Sequence, residues 1–258
     1  MTQPTNYITY PHYLRDADDG LMKPIRLNNP LVYKSHYDGD YEAMLKGADS
    51  LFKIVNEGDV PLETGPAKST ASLADKSKFK KFQVDNPYGL KQGYEPHLNP
   101  AYKDFYEWIR PRVQEVLTRW TYPNNMPWYI TKSWVNEHFK KGETLEHVHG
   151  STSLVVTMYP AKDKLSGNIW FRDTEHEIRA HEFNEQASYA WREIPCVTGD
   201  VLIFPGWLPH RTGVSFSDAR RVVCTTNINV DEKEFIKNMH NNLTERMNNP
   251  YLNNKVVK

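Results

Sequence analysis

Three histidines carry the clearest chemical signal in this sequence. His147 and His149 stand in Glu146-His147-Val148-His149-Gly150, just before a β-branched run. In extended chain, residues i and i+2 point to the same side, so an H-x-H pair presents two imidazoles to one point. His210 closes the apolar run Val201-Leu202-Ile203-Phe204-Pro205-Gly206-Trp207-Leu208-Pro209, far along the chain. A third imidazole from a distant strand would complete a facial set of metal ligands and leave the opposite face open. An isolated H-x-H also describes surface histidines. What strengthens the metal reading is Arg221, on the following strand. An arginine buried in a barrel needs an anion, and its planar fork matches a carboxylate. A metal beside an inward arginine suggests a ligand with one chelating end and one carboxylate end.

These residues need elements to position them. From about 127 to 230 the apolar period is mostly two, with β-branched and aromatic residues between turns. Strands are predicted at 128–139, 152–159, 167–172, 188–192, 200–204 and 220–229. On the last, Arg221, Val223, Thr225 and Asn227 share the more polar face, which suits a cavity. Arg220, Val222, Cys224, Thr226 and Ile228 share the face that suits packing under a helix. Upstream, apolar spacing predicts helices at 40–57 and 100–120, the second with a kink at Pro111. Residues 1–38 read as edge strands and loops, 59–98 as a functional loop region, and 231–240 as a short helix before a mobile tail. Two helices followed by many strands predict an α+β, mainly β architecture. We expect one domain over 1–258: a helical and loop support (1–126), a catalytic core (127–230), and a C-terminal helix with tail (231–258).

Composition removes several classes. The chain has 258 residues, 32 Lys plus Arg, 32 Asp plus Glu, ten His and two Cys. Zero net charge argues against a dedicated nucleic-acid binder. The absence of a long apolar run argues against a membrane span, and the N-terminal residues lack a signal-peptide pattern. Two cysteines predict neither a disulfide scaffold nor a four-thiolate zinc site, and a cytoplasmic, reducing compartment is expected. Any metal should be held by imidazole and oxygen rather than sulfur.

Read together, the motifs resemble one family. They are Ser133-Trp134-Val135-Asn136, Gly142, His147-Val148-His149, a strand ending at Pro160, Ser166-Gly167, Phe171-Arg172-Asp173, the run from Gly199 to His210, and Arg221 to Ile228. They are similar to the iron(II)/2-oxoglutarate-dependent oxygenases, and most to a bacterial and phage, prolyl-hydroxylase-like branch with an H-x-H motif. The resemblance implies a double-stranded β-helix (jelly-roll, cupin-like) core with flanking helices, and iron(II) with 2-oxoglutarate and O2. It implies a dioxygenase, most simply a hydroxylase of a protein side chain or small molecule, in the host cytoplasm if phage-encoded. His147 and His210 fall on the two histidine ligands. Arg221 falls on the partner of the far carboxylate of 2-oxoglutarate, with Thr225, Asn227 and Tyr159 assisting. Trp134, Asn136 and Tyr129 are candidates for pocket lining. One departure stands out: His149 occupies the position where most of the superfamily has a carboxylate ligand. It keeps open a three-histidine cupin-like enzyme that does not use 2-oxoglutarate, and a non-catalytic jelly-roll binding protein.

Overall fold

The structure, a computed structural model, describes residues 23–26, 31–53, 63–71, 95–172 and 191–248. In chain order the elements are β1 (Lys23–Arg26), β2 (Leu31–His36), α1 (Tyr41–Phe52), β3 (Glu63–Thr64), β4 (Ala67–Ser69) and α2 (Lys103–Arg119). Then come β5 (Trp128–His138), β6 (Glu143–Thr144), β7 (Leu154–Ala161), β8 (Ile169–Arg172) and β9 (Trp191–Ile194). The last are β10 (Asp200–Pro205), β11 (His210–Thr212), β12 (Arg221–Val230) and α3 (Glu232–Asn248). Two antiparallel sheets dominate. A larger one runs β1-β2-β10-β7-β12-β5-β4, and a smaller one runs β11-β8-β9. They form the jelly-roll core that the motifs imply.

Each face of the larger sheet buries something different. On one face, Met44, Ala48 and Leu51 of α1 and Phe105, Ile109, Val113 and Val116 of α2 pack on Val135, Val156, Val222 and Cys224. Those helical residues recur every three or four positions, so each helix offers one apolar stripe to the sheet. Asp40 caps α1 by accepting from the Ala43 amide. On the other face, Val155, Tyr159, Leu202, Phe204 and Val223 meet Ile169, Phe171 and Ile194 of the smaller sheet. The candidate site lies in this second layer.

Several sequence expectations change here. Strand β2 is interior, paired with both β1 and β10, so residues 1–38 do not supply edge strands alone. Helix α2 begins at Lys103, after 3-10 turns at Pro96–Leu98 and Pro100–Tyr102, and carries Pro111 within it. The helix expected over 231–240 runs on to Asn248. The expected mobile tail beyond it lies outside the described residues.

The adjacent arginines separate as strand parity requires. Arg220 turns to the helical side, where it donates to Asp49 of α1 at 2.5 Å and to Glu137 at 3.0 Å. Arg221 turns inward and is fully buried. Past Asn227 the pairing of β12 with β5 shifts, because Thr131 is an extra residue between Lys132 and Ile130. That bulge reverses the faces of the first strand residues. Trp128 and Ile130 therefore lie on the helical side; Tyr129, opposite Asn229 on the other face, is about half exposed beyond the end of the cavity and does not line it.

Candidate active site

His147 and His149 lie on the extended segment between β6 and β7. Main-chain bonds fix that segment against β11 and the turn before it. His147 N donates to His210 O at 3.0 Å, His210 N returns to His147 O at 3.1 Å, and His149 N donates to Gly206 O at 2.8 Å. The two halves of the histidine cluster are thus pinned to each other by backbone, independently of the imidazoles.

The rings are oriented through Nδ1. His147 Nδ1 lies 2.8 Å from Leu145 O, His210 Nδ1 2.9 Å from Leu208 O, and His149 Nδ1 2.7 Å from Asn227 Oδ1. Oxygen acceptors carry no proton, so each Nδ1 donates and each neutral ring keeps its Nε2 lone pair. The three ligand atoms converge within 4.8 Å of one another, and Nε2 of His149 and His210 are 3.2 Å apart. Two unprotonated nitrogens that close repel each other unless a cation lies between them. The donor set therefore fits a divalent metal with imidazole affinity.

Electrostatics reinforce this. Burial, then the neighbouring His147 and His149, hold His210 well below the ordinary imidazole range. Burial lowers His147 as well. His149 is lowered to about 4, by burial first and then by His147. Neutral imidazole is the metal-binding form, so no proton has to be displaced near pH 7. Phe204 packs edge-on against His210 with centroids 4.8 Å apart, and Trp134 stacks on His149 at 5.6 Å. Among the described residues this is the one group of three potential ligands that meets at a point. It contains no carboxylate. Glu146 turns away to pair with Arg172 at 3.3 Å.

A cavity of about 290 Å³ opens beside the three rings. Tyr159, Val223, Thr225, Asn227, Trp134 and Asn136 line it; Tyr129 does not. Asn227 lies in the cavity wall, but its carboxamide oxygen is taken by His149. The structure thus gives it a part in orienting a ring through Oδ1, and its amide N–H groups remain as donors. Tyr159 is buried, and burial raises its phenol well above the ordinary value, so it offers a hydroxyl.

Arg221 sits behind this wall. Its Nη1 donates to Ser166 O at 2.6 Å and to Gly167 O and Gly213 O at 3.2 Å, and Nη2 donates to Thr212 Oγ1 at 2.9 Å. Within the protein these donors meet carbonyl and hydroxyl dipoles and no carboxylate side chain. Nε has no partner, so the Nε/Nη2 edge, the bidentate edge of a guanidinium, is only half used. Gly167 permits this cradle. Its φ is +71°, and a Cβ there would lie 2.2 Å from Gly213 O and 2.9 Å from Arg221 Nη1.

Among the lining residues that sequence reasoning missed are Thr212, Thr144 and Lys132. Two had a readable signal. Thr212 follows His210 by two positions on one strand, and Lys132 precedes Trp134 by two, so each shares a face with a residue already singled out.

His138 shows the cost of this burial. Opposite Arg221 in the β5/β12 pairing, it is fully buried. Its Nε2 lies 3.0 Å from Thr144 Oγ1 and its Nδ1 has no partner. Burial, then the charge of Arg221, lowers its pKa from 6.5 to about 3. The unfolded chain takes up this proton below pH 6.5 and the folded chain does not. Stability from this ring is therefore full above pH 6.5 and is lost as pH falls toward 3. At pH 5 the loss is about 2 kcal/mol, from about 1.4 kcal/mol per pH unit. Urea unfolding at pH 7 and pH 5 checks it: His138→Gln should lose about 2 kcal/mol less than wild type over that interval. Equal losses would refute it.

Residues 132–227 match the profile of a family described as putative 2OG-Fe(II) oxygenase. Among solved structures, the chain is similar to HygX from Streptomyces hygroscopicus with nickel and 2-oxoglutarate bound (11% identity, 76% of this chain and 81% of that one, TM-score 0.46). It is also similar to AviO1 from Streptomyces viridochromogenes (11%, 78% and 90%, 0.49) and to a Pseudomonas putida prolyl-4-hydroxylase (8%, 76% and 91%, 0.44). A comparison with curated protein sequences finds no match. No helix among the described residues is long and apolar enough to cross a membrane.

Proposed function

We propose that this chain, a 2OG-Fe(II) oxygenase by its residues 132–227, holds iron(II) through Nε2 of His147, His149 and His210. One observation carries the ligand assignment: three Nδ1–H groups are committed to oxygen acceptors while the three Nε2 atoms converge. With O2, bound iron(II) and 2-oxoglutarate supply the oxidising chemistry: the keto acid leaves as succinate and CO2, and one oxygen atom goes to the substrate. The finer reading is hydroxylation, in which a substrate C–H becomes C–OH. The protein's own part is positioning and exclusion of water. Arg221 supplies the charge for the far carboxylate of 2-oxoglutarate through its half-used Nε/Nη2 edge, with Thr212 between it and the cavity. Tyr159 and Thr225 offer hydroxyls along the same wall.

Anaerobic titration with iron(II) and then 2-oxoglutarate tests this, followed by succinate measurement on admitting O2. If wild type binds neither, the reading fails. A finer test addresses ring orientation. Asn227→Leu removes the acceptor for His149 Nδ1–H at nearly constant volume. Such supporting partners commonly contribute 10–100-fold in metal affinity. The expected result is a drop of about 10- to 100-fold in iron(II) affinity in a protein that still unfolds cooperatively and loses about 1–3 kcal/mol for the stranded Nδ1–H. Unchanged affinity would mean that the stacking of Trp134 alone fixes the ring.

A further inference from the structure

Strand β5 presents three side chains to the cavity at alternate positions: Lys132, Trp134 and Asn136. Alternate residues on a strand stand about 7 Å apart on one face, so the three form a continuous wall. Trp134, at its centre, stacks against His149 with ring centroids 5.6 Å apart. Asn136 accepts from Ser69 Oγ at 2.6 Å through Oδ1, which leaves its amide N–H groups as donors. Lys132 carries its ammonium 5.4 Å from the Trp134 ring centroid. Among the described residues it has no carboxylate partner, and none of the residues lining the cavity is acidic.

The charge balance of this cavity is unusual. The resemblance places a carboxylate ligand where His149 stands, and a neutral imidazole removes that negative charge. Arg221 behind the wall and Lys132 at its end add two positive ones. Arg221, Lys132 and a divalent metal together outweigh the charge of a bound dianionic keto acid, so a positive excess remains. In a partly desolvated cavity such an excess favours an anion strongly.

We propose that the primary substrate carries an anionic group, which Lys132 receives while Trp134 and Asn136 hold the body of the substrate beside the metal site. The inference rests on the oxygenase reading and names its substrate class. An apolar, flat portion next to the anion suits the indole face, and an acceptor atom suits the amide of Asn136.

A matched pair of probes tests this: benzoate and benzamide, which differ mainly in charge. Each is titrated calorimetrically, under anaerobic conditions, into protein saturated with iron(II) and 2-oxoglutarate, so the keto-acid site is filled. The expected result is at least ten-fold tighter binding of benzoate. Lys132→Met should shrink that preference below three-fold, Lys132→Arg should keep it, and Lys132→Glu should reverse it. Iron(II) and 2-oxoglutarate affinities should stay within about two-fold of wild type in all three variants. Equal affinities, no binding of either probe, or a preference that survives Lys132→Met would each overturn the proposal. So would a loss of 2-oxoglutarate affinity in Lys132→Met, which would make Lys132 a cosubstrate residue. Failure of wild type to bind iron(II) or 2-oxoglutarate would instead overturn the reading of the site itself.

Discussion

Replacing His210 by alanine is expected to lower iron(II) affinity by at least a thousand-fold and to abolish succinate formation. His210 is the most buried of the three rings, at 5 % exposure, and its Nε2 lies 3.2 Å from that of His149. Removing it deletes one of three donors and leaves two imidazoles that cannot enclose a metal on one face. The variant should still fold. The bonds joining residue 210 to His147 are main-chain bonds, and a side-chain change leaves them in place. The cost is a cavity between Phe171 and Phe204, of about 2–4 kcal/mol by analogy with other large-to-small core changes. Equilibrium iron(II) binding and urea unfolding, measured on the same preparation, separate the two effects. Wild-type iron affinity in a folded His210→Ala protein would remove His210 from the ligand set.

The second large effect is expected at Arg221. Arg221→Met keeps a long buried side chain and removes every donor. Three carbonyls, of Ser166, Gly167 and Gly213, then lose a charged partner in a buried place. Stranding buried acceptors costs about 1–3 kcal/mol each where no water replaces the donor, so a destabilisation of about 3 kcal/mol or more is expected. If the Nε/Nη2 edge also serves 2-oxoglutarate, its affinity falls at least a hundred-fold in the same protein. Arg221→Lys should recover part of the stability and little of the affinity, since an ammonium cannot reproduce the planar fork. Urea unfolding reads the first effect and anaerobic 2-oxoglutarate titration the second. A destabilised variant with normal 2-oxoglutarate affinity would make Arg221 a clamp between loops and assign the carboxylate elsewhere.

These two residues also show what kind of signal a sequence carries. His147 and His149 were legible because strand geometry is local: two positions apart means one side, whatever the rest of the chain does. The face of β12 was legible for the same reason, and Val223, Thr225 and Asn227 line the cavity as their parity required. Tyr129 was not. The extra residue Thr131 turns Tyr129 to the cavity-facing side, yet Tyr129 lies past the end of the cavity, and where a cavity ends is not written in strand parity. The length of α3 was missed because its polar sequence gives periodicity little to report.

The partners of buried polar groups lay further beyond reach. Charge and burial required that Arg221 have acceptors. Only the folded chain decides that they are carbonyls gathered from residues 166, 167 and 213 rather than an acidic side chain. Likewise the oxygen of Asn227 is committed to His149, across 78 positions of sequence. The sequence by itself determined the residue types able to hold a metal, their grouping by strand face, and the mainly β architecture that carries them. Tertiary structure alone decided that three imidazoles from two separate segments share one point, which nitrogen of each is free, and that among the described residues Lys132 stands beside them without a carboxylate partner. The physical reason is range: side-chain direction along a strand repeats every two residues, whereas convergence and hydrogen-bond pairing depend on register between strands far apart in the chain.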